Sequence, residues 1–534
     1  MNENFREFLE RLREEHELTD IKQAVDIRHI ATLVDQSEPA LYFHNVIGYR
    51  MPVVSGLFRS QRRVTLAMGC SKFSEIEARL RHGIDHPLAP RYHESAPHKE
   101  VIKVGDDVDL FELPIPMSSI YDGGPMITAG VVMARDPEYG INSGVYRFLV
   151  KEKNLTGIDI VTPNNLRLYA QRALAAGRAC PISISIGTHP FEIMGAGFRA
   201  PVGVDEMGIA GGIRGAPVEL APCETIDLPC VAGAEIVLEA EILPTGWVWP
   251  EGRFGEFTRL MGGLHWNPLV KVKAITRRRD ATYYSLHMPW ENTWIGAPTR
   301  YAAIRAALKT AGVQVTDINV TLGGCAMWHA VISIRKQAGE GKNALLAALS
   351  VMDLKHVVVV DDDIDVFNAT DVEWAIATRV QGDRDVFVIP GARAKPLDPS
   401  LPIVPHGTVP TTAKVGIDAT IGEGIPRERY ERISYACADR VKIGDYVAGK
   451  ADQPPSGVNT PSEPVAQLAQ KIDELIGKTP CYYSEIAERF ADYDFPSIAR
   501  AIGRLHADGK MWQDPRGRLC LRGSAFAAKP PEKT

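Results

Sequence analysis

Residues 1–35 carry two helical patterns, the first in MNENFREFLERLREEHELTDI, where apolar positions recur at helical spacing on a charged segment. Residues 41–55 (LYFHNVIGYRMPVVS) read instead as two strands around a glycine-containing turn. From residue 101 to about 282 the chain breaks into short Val/Ile-rich runs punctuated by Gly, Pro and Asp, as in GGPMITAGVVMARDP, PISISIGTHP and AEIVLEAEIL. That texture predicts a β-rich region with few long helices. After Tyr301 helical and strand patterns alternate through YAAIRAALKTAG, VTDINVTL, KNALLAALSVMDL and HVVVVDDDID. The run HVVVV at 356–360, with a helix before it and acids after it, predicts a buried strand of a parallel or mixed sheet.

Residues 450–464 (KADQPPSGVNTPSEP) crowd Pro, Gly, Ser and Asn with little apolar content and predict a linker. Beyond it VAQLAQKIDELIG, YSEIAERFADY and FPSIARAIGRLHADG predict three helices, the last ending at Gly509. KMWQDPRGRLCLR then predicts a hairpin turning at Pro515, Arg516 and Gly517, so the tail resembles a winged helix-turn-helix. Ile498, Ile502 and Leu505 face the tail's core, leaving Ser497, Arg500, Arg504 and His506 outward. From residue 465 onward eleven Lys and Arg stand against nine acids, a feeble field for nucleic acid. A packing or protein-interaction role fits the tail better than DNA recognition.

The length of 534 residues predicts about three to five domains. With 45% hydrophobic and 24% charged residues the chain is neither disordered, collagen-like nor disulfide-dense. Its net charge of −6 offers no overall cationic field for nucleic acid or an anionic membrane. Eight cysteines form no Cys-x-x-Cys pair, which predicts free thiols in a reducing compartment. No signal-peptide pattern opens the chain and no run reaches ~18 apolar residues, so a cytoplasmic protein without a membrane span is expected.

Two segments invite chemistry. In Pro250-Glu-Gly-Arg-Phe-Gly-Glu256 two glycines allow both carboxylates to reach one cavity and split their pKa values; a solvated turn is the plainer alternative. In Ile141-Asn-Ser-Gly-Val-Tyr-Arg147 an amide, an aromatic and a guanidinium share one strand, suited to a metal, phosphate or carboxylate, or to nothing more than a strand with a bulge. His287, Trp290 and Trp294 are candidates for lining a substrate pocket, with core packing as the alternative. His189, before a proline, reads as a turn residue rather than a metal ligand. Asp361-Asp-Asp-Ile-Asp365 reads as the polar mouth of a buried strand, and Ala210-Gly-Gly-Ile-Arg-Gly215 lacks the spacing of a dinucleotide fingerprint.

Taken in order, these blocks resemble the UbiD-type decarboxylases that use prenylated FMN. The resemblance runs through Asn142-Ser-Gly-Val-Tyr-Arg147, Asp205-Glu206, Ala234-Glu-Ile-Val-Leu-Glu239, Pro250-Glu-Gly-Arg-Phe-Gly-Glu256, Ile334-Arg-Lys-Gln337, Trp374-Ala-Ile-Ala-Thr-Arg379 and Lys414-Val-Gly-Ile-Asp-Ala-Thr420. It implies an α/β (α+β) fold: a 1–100 α/β segment, a split β-barrel of the flavin-reductase kind at 101–300, and an α/β oligomerisation domain at 301–449. The linker at 450–464 and a winged-helix-like module at 465–534 complete the chain. The resemblance assigns Glu251, Arg147 and Glu256 to catalysis, with Glu256 as proton donor. It assigns Asn142, Val145, Tyr146, Arg147 and Lys414 to the cofactor, Lys414 at its phosphate. Asn142 and Glu206 become ligands of a divalent metal, manganese foremost, with potassium as a further candidate. Where the family has a third, histidine ligand this chain reads Thr162-Pro-Asn-Asn-Leu166, leaving Asn164 or Asn165 to serve.

The implied reaction is a reversible, non-oxidative decarboxylation of an aromatic, heteroaromatic or α,β-unsaturated acid, free or as a CoA thioester, through a covalent prenyl-FMN adduct. A flavin prenyltransferase as cofactor supplier and a homo-oligomer, dimer to hexamer, go with it. An FMN-dependent oxidoreductase on the same barrel, or a ligand-sensing regulator using the tail, are the rival readings.

Overall fold

The computed structural model describes residues 3–160, 164–198, 200–395, 397–402, 410–447 and 464–529. The chain divides into two compact units, 1–425 and 426–534.

The first unit opens on the helix Phe5–Glu14. Asn4 and Glu7 form its capping box, and it buries Phe5, Phe8, Leu9 and Leu12, the stripe that the apolar spacing predicts. The expected strand pair at 41–55 is present as Ala40–Val46 and Val53–Ser55, antiparallel to one another. Leu18–Val25 pairs in parallel on one side, and Tyr283–Ser285 in parallel on the other. That last strand follows the barrel in sequence, so the N-terminal layer is completed by a segment from far along the chain.

Among the described residues a seven-stranded antiparallel sheet forms the centre. Its order runs Ile236–Ile242, Cys180–Ile186, Met126–Asp136, Gly140–Glu152, Leu155–Gly157, Leu269–Arg277 and Val101–Val104. A further pairing of Ile236–Ile242 with Leu269–Arg277 closes six of these strands into a barrel, and closure removes the edges that open sheets must protect. Val132, Phe148, Ile182, Ile184, Leu238 and Val270 belong to its core. The β-rich texture and the barrel expectation both correspond to this element.

A second sheet has the order Val315–Val320, His329–Ile334, His356–Asp361, Thr411–Ala419, Val386–Arg393. Its inner pairs are parallel and its outer pairs antiparallel. His356–Asp361 lies in the middle with Val357, Val358, Val359 and Val360 buried, as its unbroken apolar run predicts. The expected boundary at 300/301 needs correcting. The helix Trp290–Thr310 runs through it and packs its buried face into the core that joins the barrel side to this sheet.

The second unit has its own core, built from Leu468, Ile472, Ile476, Ile486, Ile498, Ile502, Leu505, Met511 and Leu519. The three expected helices are Val465–Lys478, Tyr483–Arg489 and Phe495–Ala507, followed by the hairpin Met511–Gln513 and Leu519–Leu521. Residues 426–447 group with this tail rather than with the sheet domain, because ion pairs such as Arg440–Glu488 and Glu428–Arg516 join them to it. The division at 425/426 thus precedes the expected linker, whose residues 450–463 lie outside the described ones.

Candidate active site

The strand Gly140–Glu152 carries the site. Its register against Met126–Asp136 slips between Ile127 and Gly130, so Thr128 and Ala129 stand opposite Arg147 alone. The extra residue belongs to the neighbouring strand, which bends there, while Arg147 keeps its place in the regular alternation of its own strand. Arg147 Nη2 lies 2.5 Å from Asp159 Oδ2, Nη1 lies 3.2 Å from Glu256 Oε1, and Nε lies 3.5 Å from Glu251 Oε1. The ring of Phe254 lies 4.7 Å under the guanidinium carbon. One cation therefore serves three carboxylates, where the resemblance implied two.

Glu251 and Glu256 stand on a strap formed by Trp249–Glu251, the loop after it and His265–Asn267. Space for each carboxylate is left by a glycine elsewhere. A Cβ on Gly157 would come within 2.9 Å of Glu251 Oε2, and one on Gly262 within 3.0 Å of Glu256 Oε1. Gly252 serves differently from the expected turn: its backbone rests directly on Gly123, where an added Cβ would meet a Cα at 2.3 Å. Burial pushes the Glu251 carboxyl up to about 7 against the opposing pull of Arg147. Asn267 Nδ2 donates to Glu251 Oε2 at 3.3 Å. Asp159, His265 and Asn267 were not legible as site residues. Only the hairpin register, which sets Glu251 opposite His265 and Trp249 opposite Asn267, brings the latter two in.

Asn142 and Glu206 meet as the resemblance implies. Asn142 Nδ2 donates to Glu206 Oε1, and the Ser143 amide donates to Glu206 Oε2, each at 2.8 Å. Glu206 opens the helix Glu206–Arg214, capped by Asp205. Burial raises its carboxyl to about 7 despite the Ser143 amide. Beside it the Ser143 hydroxyl is buried with no hydrogen-bond partner. Tyr146 lies over Gly144, whose missing Cβ leaves room for the ring, and its hydroxyl donates to Asn164 Oδ1 at 3.4 Å. Val145 is the half-buried residue between them.

Several expected residues are engaged by the fold itself. Lys414 is corrected: its Nζ donates to the carbonyls of Leu349 and Val351 at 2.7 and 2.9 Å, satisfying the end of the helix Glu340–Leu349, and burial lowers its pKa. Asn164 caps the helix Asn165–Ala175 through the Arg167 amide at 2.8 Å, and Asn165 donates to the Ala200 carbonyl at 3.4 Å. Thr162 and Pro163 lie outside the described residues. Trp294 is also corrected, since it is core, edge-on to Phe73 at 5.7 Å. His287 is buried with Nε2 3.4 Å from Asp35, and Trp290 Nε1 donates to the same carboxylate at 3.2 Å. Of the three, Trp290 touches the strap, through Arg259 at 5.7 Å from its ring. His189 caps a helix and bonds Glu3, as a turn residue would. Asp361 and Asp363 pair with Arg379 at the mouth of their strand. Among the described residues no three His, Cys, Asp or Glu side chains gather as a metal cluster.

The chain matches three family models of 3-octaprenyl-4-hydroxybenzoate carboxy-lyase: the N-terminal domain at 9–80, the Rift-related domain at 91–289 and the C-terminal domain at 293–419. It is 34% identical over 433 residues to anhydromevalonate phosphate decarboxylase of Methanothermobacter thermautotrophicus, covering 80% of this chain and 99% of the relative. Among solved structures, the UbiD-class enzyme HmfF from Pelotomaculum thermopropionicum with FMN superposes with a TM-score of 0.78 at 38% identity over 83% of this chain and 100% of that one. An evolved dimeric form of HmfF with prFMN gives 0.75 at 36% over 83% and 99%. The 3,4-dihydroxybenzoic acid decarboxylase of Klebsiella pneumoniae gives 0.76 at 27% identity over 84% and 100%.

Proposed function

The chain belongs to the UbiD family and is a carboxy-lyase, and from that premise we propose that it decarboxylates an aromatic, heteroaromatic or α,β-unsaturated acid with a prenylated FMN held at its barrel. The observation that carries the reading is Arg147, half-buried on its strand and shared among Glu251, Glu256 and Asp159. A plain flavin oxidoreductase has no use for that arrangement. The complexes of HmfF with FMN and prFMN support the choice of cofactor.

When bound, prenylated FMN supplies the electron sink that lets carbon dioxide leave. The chain's own residues handle charge and protons. Arg147 fixes Glu256 through Oε1, leaving the other oxygen to carry the proton delivered to the freed carbon. Glu251, almost fully buried and poised near 7, exchanges protons at neutral pH. A divalent cation fits Asn142, Ser143 and Glu206: the site offers oxygen donors, one orphaned hydroxyl and a carboxylate whose burial lacks a compensating charge. Tyr146 and Val145 border that place. Assembly as a homo-oligomer through the C-terminal sheet domain belongs to the same reading, as does a flavin prenyltransferase as supplier.

The experiment is coexpression with a flavin prenyltransferase, anaerobic purification and a panel of unsaturated acids followed by carbon dioxide release and deuterium uptake from heavy water. Turnover of at least one acid is expected; plain FMN in the spectrum with no exchange on any acid sinks the reading. Glu256→Gln should keep the cofactor spectrum while kcat falls about 100-fold or more. Full activity in that variant would remove the donor assignment.

A further inference from the structure

His265 has no place in the roles so far. It stands directly across the strap from Glu251, and its Nδ1 lies 3.4 Å from Asp159 Oδ2 and 3.5 Å from Arg147 Nη2. One nitrogen thus faces an acceptor and a donor. Carrying a proton it bonds Asp159; without one it can only accept from Arg147. Its side chain is 26% exposed, against 15% for Asp159, 14% for Arg147, 11% for Glu256 and 1% for Glu251. It is therefore the cluster's most open member and the one placed to exchange protons with water.

Charge gives that placement a purpose. Asp159 alone, once ionised, balances the charge of Arg147, and each glutamate of the cluster that ionises as pH rises adds repulsion toward an incoming acid anion. The charged groups facing His265 are Asp159, Arg147 and Glu256, with Glu251 across the hairpin. Resting on the decarboxylase reading, we infer that Asp159 and His265 form a positioning pair whose protonated imidazolium offsets the excess negative charge and admits the substrate carboxylate beside Arg147. Asp159 raises the imidazole's pKa, ahead of the opposing effect of burial, so the charged form persists toward neutral pH. Binding should then weaken once pH rises past that value.

The test uses the full chain with benzoate as probe, its affinity measured by calorimetry at pH 6 and pH 9. At pH 6 His265→Gln should bind about tenfold more weakly than wild type and His265→Lys within about twofold of it. At pH 9 wild type should fall to the level of His265→Gln while His265→Lys stays ahead. Comparing variants at one pH cancels the titration of Glu251. In parallel, 13C-labelled histidine NMR should show one resonance, identified by its loss in His265→Gln, titrating above the ordinary value and moving down by about one pH unit in Asp159→Asn. Undetectable benzoate binding, a lysine variant as weak as the glutamine one, or a titration unmoved by Asp159→Asn overturns the inference. Failure to release carbon dioxide from any acid would instead count against the decarboxylase reading, since neither readout depends on turnover.

Discussion

At the scale of single residues, two buried carboxyls give the protein a pH signature. Glu206 and Glu251 each sit near 7 in the folded chain against an ordinary 4.5, because burial penalises their charge. Between those values the folded chain holds protons that the unfolded chain has released, so stability falls as pH rises from about 5 to 8. Linkage makes this up to roughly 3 kcal/mol per group. Urea midpoints at pH 5 and pH 8 check it, and a midpoint that rises with pH would refute it. Glu206→Gln should remove about half of the decline. Millimolar manganese at pH 8 should restore stability in the wild type and not in that variant, because only an ionised Glu206 gains a partner. Asn142, Arg147, Glu251 and Glu256 stood out in their own segments as candidates, whereas Glu206 was reached only through the family resemblance. Asp159 and His265 were not legible: each is an ordinary polar residue in its own segment, brought to Arg147 only by the hairpin that sets His265 opposite Glu251 and by the chain leaving the short strand Leu155–Gly157. Lys414 shows the opposite failure, a motif residue whose amine the fold commits to the end of a helix.

At the scale of elements, the strap is the part whose geometry the chemistry depends on. The loop bearing Glu256 is tight: the Glu256 amide donates to Leu260, the Gly262 amide to Phe254, and Arg259 adopts a left-handed φ of 64°. Phe257, the residue after the donor, is buried against Cys325 and Met327 and edge-on to Trp328 at 5.5 Å. Phe257→Ala should cost roughly 3 kcal/mol and lower kcat about tenfold while the cofactor spectrum persists. A variant that lost stability with kcat unchanged would show that the anchor does not position the donor. Gly252→Ala acts from the other side. Its methyl meets the Gly123 backbone, which cannot yield as a side chain would, so a loss of roughly 1–3 kcal/mol and displaced glutamates are expected, read as a lower urea midpoint and kcat. The elements themselves were largely legible, because period-2 and helical patterns survive in a single sequence. Contacts between backbones, such as Gly123 on Gly252, leave no local pattern, and neither does the joining of Tyr283–Ser285 to an N-terminal sheet.

At the scale of the whole molecule, the question is what the second unit is for. Arg147, Asp159, Glu206, Glu251, Glu256 and His265 all lie in the first unit, and the family models end at residue 419. The Methanothermobacter relative is matched over 99% of its length by 80% of this chain, and HmfF over its whole length by 83%. About a fifth of this chain therefore has no counterpart in either relative, and no family model matches beyond residue 419. The tail closes its own core, and its outward Arg500, Arg504 and His506 share the surface with Asp492 and Asp508, giving little field for phosphates. A chain ending at Ile425 should accordingly fold and keep kcat/KM within about twofold of the full chain on the same acid. If the tail packs against a protein surface, the change should appear instead in light-scattering mass across a concentration series, where the shortened chain would form a smaller assembly. Loss of turnover on truncation, with the assembly intact, would show that the second unit acts on the active site after all.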